Sequence, residues 1–170
     1  CQENDVEDNL VDYNAKIHDI NFIFKSTQSF KESELNTVIE SPKSDYLNLQ
    51  TLELDLRRLD KFYFDNGFFD AQIDTSIILL SNKKIDLNFI ITENRPYSIR
   101  NIIYNGLDSL RAGTLDKLND NTMPFLKTND RYNKINLNNE ENRIITYLNN
   151  NGYALASFKE PFVSKLMSKD

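Results

Sequence analysis

A motif occurs twice in this chain at a spacing of 85 residues, and it constrains the fold more than any other feature. The first copy reads Arg58-Leu59-x-x-Phe62-Tyr63-x-x-x-Gly67-Phe68-x-x-Ala71-x-Ile73. The second reads Arg143-Ile144-x-x-Tyr147-x-x-x-x-Gly152-Tyr153-x-x-Ala156-x-Phe158. Each copy runs from an apolar helical stripe through a glycine stop and an aromatic residue into the start of a strand. Recurrence of the same order and spacing makes the chain an array of two similar small modules. Such arrays bind and position other chains more often than they enclose a catalytic centre.

With 170 residues, 27% charged and 39% hydrophobic, the chain has room for two modules of fewer than a hundred residues. Each can bury only a modest core. The predicted division is an acidic, flexible N-terminal tether over 1–16, a first module over 17–95 and a second over 96–170. Arg95-Pro96 separates the modules as a short, stiff linker, because proline fixes its own backbone angle. The net charge of −6 leaves no basic stripe to neutralise phosphates, which excludes nucleic acid as a partner. It equally excludes an electrostatic hold on anionic lipid. No apolar run approaches the roughly 20 residues a spanning helix needs.

The single cysteine is residue 1, so no disulfide can form within the chain. The adjoining stretch, Gln2-Glu3-Asn4-Asp5-Val6-Glu7-Asp8-Asn9, is acidic and nearly free of apolar residues, as a tether should be. Together they resemble the mature start of a bacterial lipoprotein, and the resemblance implies lipidation at Cys1.

Along the chain, Ile20, Phe22 and Phe24 alternate with polar residues, predicting a strand over 17–25. Ser29 and Glu32 have capping-box spacing before a short helix with Leu35, Val38 and Ile39, closed by Ser41-Pro42. Leu49, Leu52, Leu56, Leu59 and Tyr63 form the stripe of a second helix that stops at Asn66-Gly67. Ala71, Ile73, Thr75 and Ile77 then alternate with Gln72, Asp74 and Ser76 as a second strand. A third carries Ile85, Leu87, Phe89 and Ile91. The first module is therefore β-α-α-β-β.

The second module repeats this order. Ile99, Ile102 and Tyr104 mark its first strand, and Asp108 or Ser109 would cap a helix carrying Leu115 and Leu118. Leu137, Ile144, Ile145 and Leu148 lie on the next helix, which stops at Asn151-Gly152. Tyr153 to Glu160 would be its second strand, and no clear third strand succeeds it. The fold expected is α+β: two tandem modules, each a three-stranded sheet with two helices on one face. The second lacks a clear last strand, so the natural protein is expected to continue.

This plan, with its Tyr/Phe…Gly-Phe/Tyr-x-x-Ala junction, resembles the polypeptide-transport-associated (POTRA) domains of the BamA/TamA outer-membrane assembly family. The resemblance covers about residues 17–160. It implies a periplasmic array on the inner side of the outer membrane of a Gram-negative bacterium. With Cys1 it suggests a lipidated variant of the TamA-like type. The partners implied are outer-membrane assembly or translocation proteins, or unfolded client polypeptides. Membrane contact would come through lipid on Cys1, a downstream barrel, or both.

The motif residues carry structural roles. Gly67 and Gly152 supply backbone freedom at the helix stop, Phe68 and Tyr153 fill the gap between helix and sheet, and Ala71 and Ala156 permit close packing. No catalytic constellation accompanies them. His18 is the only histidine, no Gly-x-x-x-x-Gly-Lys loop exists for nucleotide, and serines lack a partnered base. No cofactor, metal or nucleotide is expected, and no enzymatic activity. The charges of Asp55-Leu56-Arg57-Arg58 are expected to face water.

A small sheet covered on one face exposes edges that can accept an added strand. The resemblance implies that the second strand is an edge. The predicted protein-binding residues are Ala71, Gln72, Ile73, Asp74, Thr75, Ser76 and Ile77. An alternative function is that of an accessory scaffold lipoprotein bridging subunits of an envelope secretion or division complex. A periplasmic enzyme with an unfamiliar site is a third reading.

Overall fold

The computed structural model describes residues 15–106, 110–159, 161, 163 and 164. They divide into two compact units, 1–97 and 98–170. Cys1 and most of the predicted tether lie outside the described residues, as do Asp108, Ser109 and Glu160.

The first unit is α+β. Its elements are β1 (Lys16–Phe24), α1 (Glu32–Leu35), α2 (Leu49–Asp65), β2 (Gln72–Leu79) and β3 (Lys84–Thr92). The sheet order is β1-β3-β2, with β3 parallel to β1 and antiparallel to β2. The last strand in sequence is therefore the central one. That position explains its near-continuous burial, with Ile85, Leu87, Phe89 and Ile91 all inaccessible. A register shift between Ile17 and Asp19 brings Ile17 onto the same buried face as Ile20 and Phe22, although simple alternation would point it outward.

Helix α2 begins at Asn48, whose side-chain oxygen accepts from the amides of Gln50 and Thr51. Its buried stripe is Leu52, Leu59 and Tyr63. The helix ends on a left-handed Gly67, φ 87°. There the Gly67 amide donates to the Phe64 carbonyl and the Phe68 amide to Tyr63. This closure turns Phe68 back into the core, edge-on to Phe30 and Tyr63.

Helix α1 is shorter than the sequence suggests. It is a single turn, and the capping carboxylate is Glu34, which accepts from the Lys31 amide at 2.8 Å. The Ser29 amide is held instead by both oxygens of Glu93, each at 3.0 Å. Val38 and Ile39 still pack on the core, from a non-helical stretch.

The second unit contains α3 (Thr114–Asn121) and α4 (Lys134–Asn150). Leu118, Ile144 and Leu148 are buried together, with Leu115, Tyr147, Tyr153 and Ala156 against them. Helix α3 begins after a left-handed Gly113 rather than near 109. The strands expected at Ile99–Tyr104 and from Tyr153 onward form no ladder among the described residues. The physical reason lies in the sheet order of the first unit, where β1 and β2 each bond to β3 and not to one another. Among its described residues the second unit has no counterpart of β3 to ladder with either segment; Ile99 bonds instead to the loop before α4, its amide donating to Asp130 and its carbonyl accepting from Asn129.

Candidate protein-binding edge

The two outer strands of the first sheet differ in what covers them. The start of β1 is occupied by the loop before α2. The Ile17 amide donates to the Asp45 carbonyl at 2.8 Å, the Ser44 amide to the Ile17 carbonyl at 2.7 Å, and the Leu47 amide to the Ala15 carbonyl at 3.0 Å. Among the described residues β2 pairs only with β3, from Gln72 opposite Thr92 to Leu79 opposite Ile85.

Of the predicted binding residues, Gln72 to Ile77 lie in β2 and Ala71 immediately before it. Gln72 and Asp74 are exposed on one face, while Ile73, Thr75 and Ile77 are half-buried. Ser76 is half-buried because the Asn88 amide donates to its hydroxyl at 3.3 Å and Asn21 donates to Asn88 at 3.0 Å. This polar rung crosses all three strands and helps fix their register.

The predicted set omits the most exposed apolar part of the edge. Ile78, Leu79 and Leu80 are all exposed, about half so for the first two. The signal was present in the sequence: the run Ile77-Ile78-Leu79-Leu80 breaks the alternation that precedes it. At the other end of β2 lies an open groove lined by Asp60, Phe64, Asp65, Phe69 and Ala71. Partial burial there raises the Asp60 carboxyl above its usual range.

The charges of the helical motif are arranged otherwise than expected. Asp55 does not face water; it is fully buried. Its carboxylate accepts from the Glu40 amide at 2.7 Å, the Ser41 amide at 2.9 Å and the Ser41 hydroxyl at 2.6 Å. Arg58 closes the set at 2.8 Å. Only Arg57 keeps the expected exposed position, pairing with Glu53.

The second unit repeats this arrangement 85 residues later. Glu140 is buried and accepts from the Phe125 amide at 2.8 Å, the Tyr104 hydroxyl at 2.8 Å and Arg143 at 2.7 Å. Burial opposes ionisation, but Arg143, the Phe125 amide and the Tyr104 hydroxyl together hold the carboxyl below its usual range. Burial and the adjacent Glu140 push the Tyr104 hydroxyl up to about 12. In both units a carboxylate on the long helix pins the loop that leads into it. It performs a structural task.

His18 sits on the outer sheet face, half exposed, with Nδ1 3.0 Å from Asp86. Among the described residues no cluster of three or more His, Cys, Asp or Glu could hold a metal ion. Nor is any helix there long and apolar enough to cross a membrane.

These features define a class: a small α+β module that presents one open sheet edge and packs its ionisable groups as structural ties. Residues 15–94 match the family model POTRA, described as "Surface antigen variable number repeat". The first unit is a POTRA domain.

Solved structures are similar over most of the chain. A crystal structure of Haemophilus influenzae BamA POTRA3-5 is 26% identical over 83% of this chain and 57% of that one, with a TM-score of 0.47. POTRA1-2 of the periplasmic domain of Omp85 from Anabaena is 18% identical over 88% of both chains, with a TM-score of 0.47. A BamA from Haemophilus ducreyi lacking POTRA domains 1-3 shares the fold at 18% identity and a TM-score of 0.50. That match covers 76% of this chain and 23% of that one. The chain thus spans little more than half of the Haemophilus influenzae structure. No curated protein sequence matches it significantly.

Proposed function

We propose that this chain is a non-catalytic, periplasmic protein-interaction array acting in outer-membrane protein assembly. In this reading the β2 edge of the first unit receives an extended segment of a partner or client polypeptide. The observation that carries it is the asymmetry of the sheet: β1 is partly covered by residues 44–47, whereas β2 is open and ends in the exposed Ile78, Leu79 and Leu80. The POTRA match over 15–94 and the BamA and Omp85 structures support the setting.

The second unit is, in the same proposal, a second POTRA-like module, and the chain is attached to the outer membrane through lipid on Cys1, a downstream barrel, or both. Backbone hydrogen bonds contribute about 0.5–1.5 kcal/mol each, net. Four or five of them, less the cost of ordering the guest, give affinities of roughly millimolar to micromolar. Affinity in that range suits release of many different clients.

Single proline substitutions along Gln72–Ile78 test the edge. A proline whose N–H would point towards β3 breaks the ladder and lowers the melting temperature. One whose N–H would point outwards leaves the ladder intact. The outward set should keep the melting temperature and weaken binding of extended outer-membrane-protein peptides at least tenfold in NMR titrations. Binding unchanged in every stable variant removes β2 as the site.

A further inference from the structure

The open edge of β2 continues at its start into the groove beside the end of α2. Asp60 and Phe64 form one wall of that groove, and Phe69 and Ala71 stand at the entry to the strand. The aromatic side chains there make a row across the surface. Phe64 is half exposed and lies against Phe69, ring centroids 4.7 Å apart, and Phe69 lies against Tyr97 at 5.3 Å. The far end of the row is fastened. The Tyr97 amide donates to the Gly67 carbonyl at 2.8 Å, and its hydroxyl to the Asp70 carboxylate at 2.6 Å. Rings already held in place lose little freedom when a guest lies against them.

The groove is electronegative in three independent ways. The face of an aromatic ring carries negative charge density. The C-terminal end of α2 presents its carbonyl dipoles here, and its last turn holds no basic residue. Two carboxylates line the groove, Asp60 and Asp65. Lys61 pairs with Asp65, but Asp60 has no hydrogen-bond or ion-pair partner among the described residues. Its carboxyl is raised by partial burial, which nothing opposite offsets. Such a surface attracts a cation carried on an apolar stem and repels an anion.

We infer that this groove is a socket for a basic side chain, arginine before lysine, carried by the extended segment that pairs with β2. Arginine fits best because its flat guanidinium can lie on Phe64 or Phe69 while donating to Asp60. The inference rests on reading β2 as the binding edge and adds what that edge selects. Ala71, Ile73 and Ile77 pack on the helix side of the sheet. A guest residue beside Ala71 therefore aims its side chain into the groove. The guest residues two, four and six places away lie beside Ile73, Thr75 and Ile77, because strand side chains alternate. The preferred segment has a basic residue at one end of a run of alternating apolar residues.

The test is an NMR titration of the full chain with the peptide Arg-Thr-Val-Thr-Val-Thr-Val-Thr-Arg, which presents an arginine to the groove in either strand direction. A second peptide carries citrulline at both ends, keeping the shape and removing the charge. Both should shift the Gln72–Leu79 amides, and the arginine peptide should bind about fivefold more tightly. In the Asp60→Asn chain that advantage should fall below about twofold, while the citrulline peptide binds as before. Phe64 is exposed, so Phe64→Leu should keep the fold and also reduce the advantage. If both peptides shift β2 with equal affinity, the socket is overturned and the edge stands. An advantage that survives both substitutions places the cation elsewhere and also overturns the socket. If neither peptide shifts Gln72–Leu79, the edge reading falls, and the socket with it.

Discussion

Asp55 and Glu140 show how much a single residue's environment can hide. Each lies three positions before an arginine on an exposed-looking helical turn, and an i, i+3 pair ordinarily contributes only a few tenths of a kcal/mol. Here the carboxylates are buried and receive backbone amides from the preceding loop. Loss of one partner of such a buried set costs about 3–5 kcal/mol.

The sign of the pH dependence is set by these shifts. The folded-state pKa of Glu140 is depressed, so its contribution is present above the unfolded value of 4.5 and is lost as pH falls through the folded value. Tyr104 is raised from 10.0 to about 12, so its contribution is complete below 10 and lost between about 10 and 12. Melting of the second unit, monitored by tyrosine fluorescence or NMR, should therefore weaken below about pH 4.5 and again above pH 10. Glu140→Gln should flatten the acid limb; an unaltered acid limb would place the titrating group elsewhere.

At the scale of elements, the helix-to-strand junction organises each unit. Gly67 and Gly152 take φ values of 87° and 92°, which side chains rarely adopt. No atom lies within 4 Å of a Cβ built on Gly152, so alanine there meets strain rather than a clash. The adjoining aromatic residues differ in their surroundings. Phe68 is buried among Phe30 and Tyr63, whereas Tyr153 is half-buried and its hydroxyl accepts from the Arg111 amide at 2.7 Å. Phe68→Ala should destabilise the first unit by about 3–5 kcal/mol in urea unfolding. Gly152→Ala should cost the second about 1 kcal/mol. Equal effects at the two junctions would contradict their different packing.

At the scale of the whole chain, the first unit contains its own sheet, core and polar ties. Its core joins Ile17, Phe22, Leu59, Tyr63, Phe68 and Phe89 without drawing on any residue after Tyr97. A fragment of residues 15–97 should therefore fold alone and unfold in one cooperative transition. Its amide spectrum should overlay that of the same residues in the full chain. A molten or unfolded fragment would show that the unit depends on residues beyond Tyr97.

The sequence determined the repeat, the two long helices, their asparagine and glycine ends, and the alternation of β2 and β3, because these features are set by neighbours within a turn or a strand. Alternation missed the inward Ile17, since a bulge changes which face a residue takes. Local spacing also misread Asp55, because its partners at Glu40 and Ser41 are brought to it only when the loop folds onto α2. Strand order was likewise a tertiary decision. Nothing local to Lys84–Thr92 states that the last strand lies between the other two, yet that placement leaves β2 open. Among the described residues, Ile99–Tyr104 and 157–159 form no ladder, because a strand is defined by its partner as much as by its own residues.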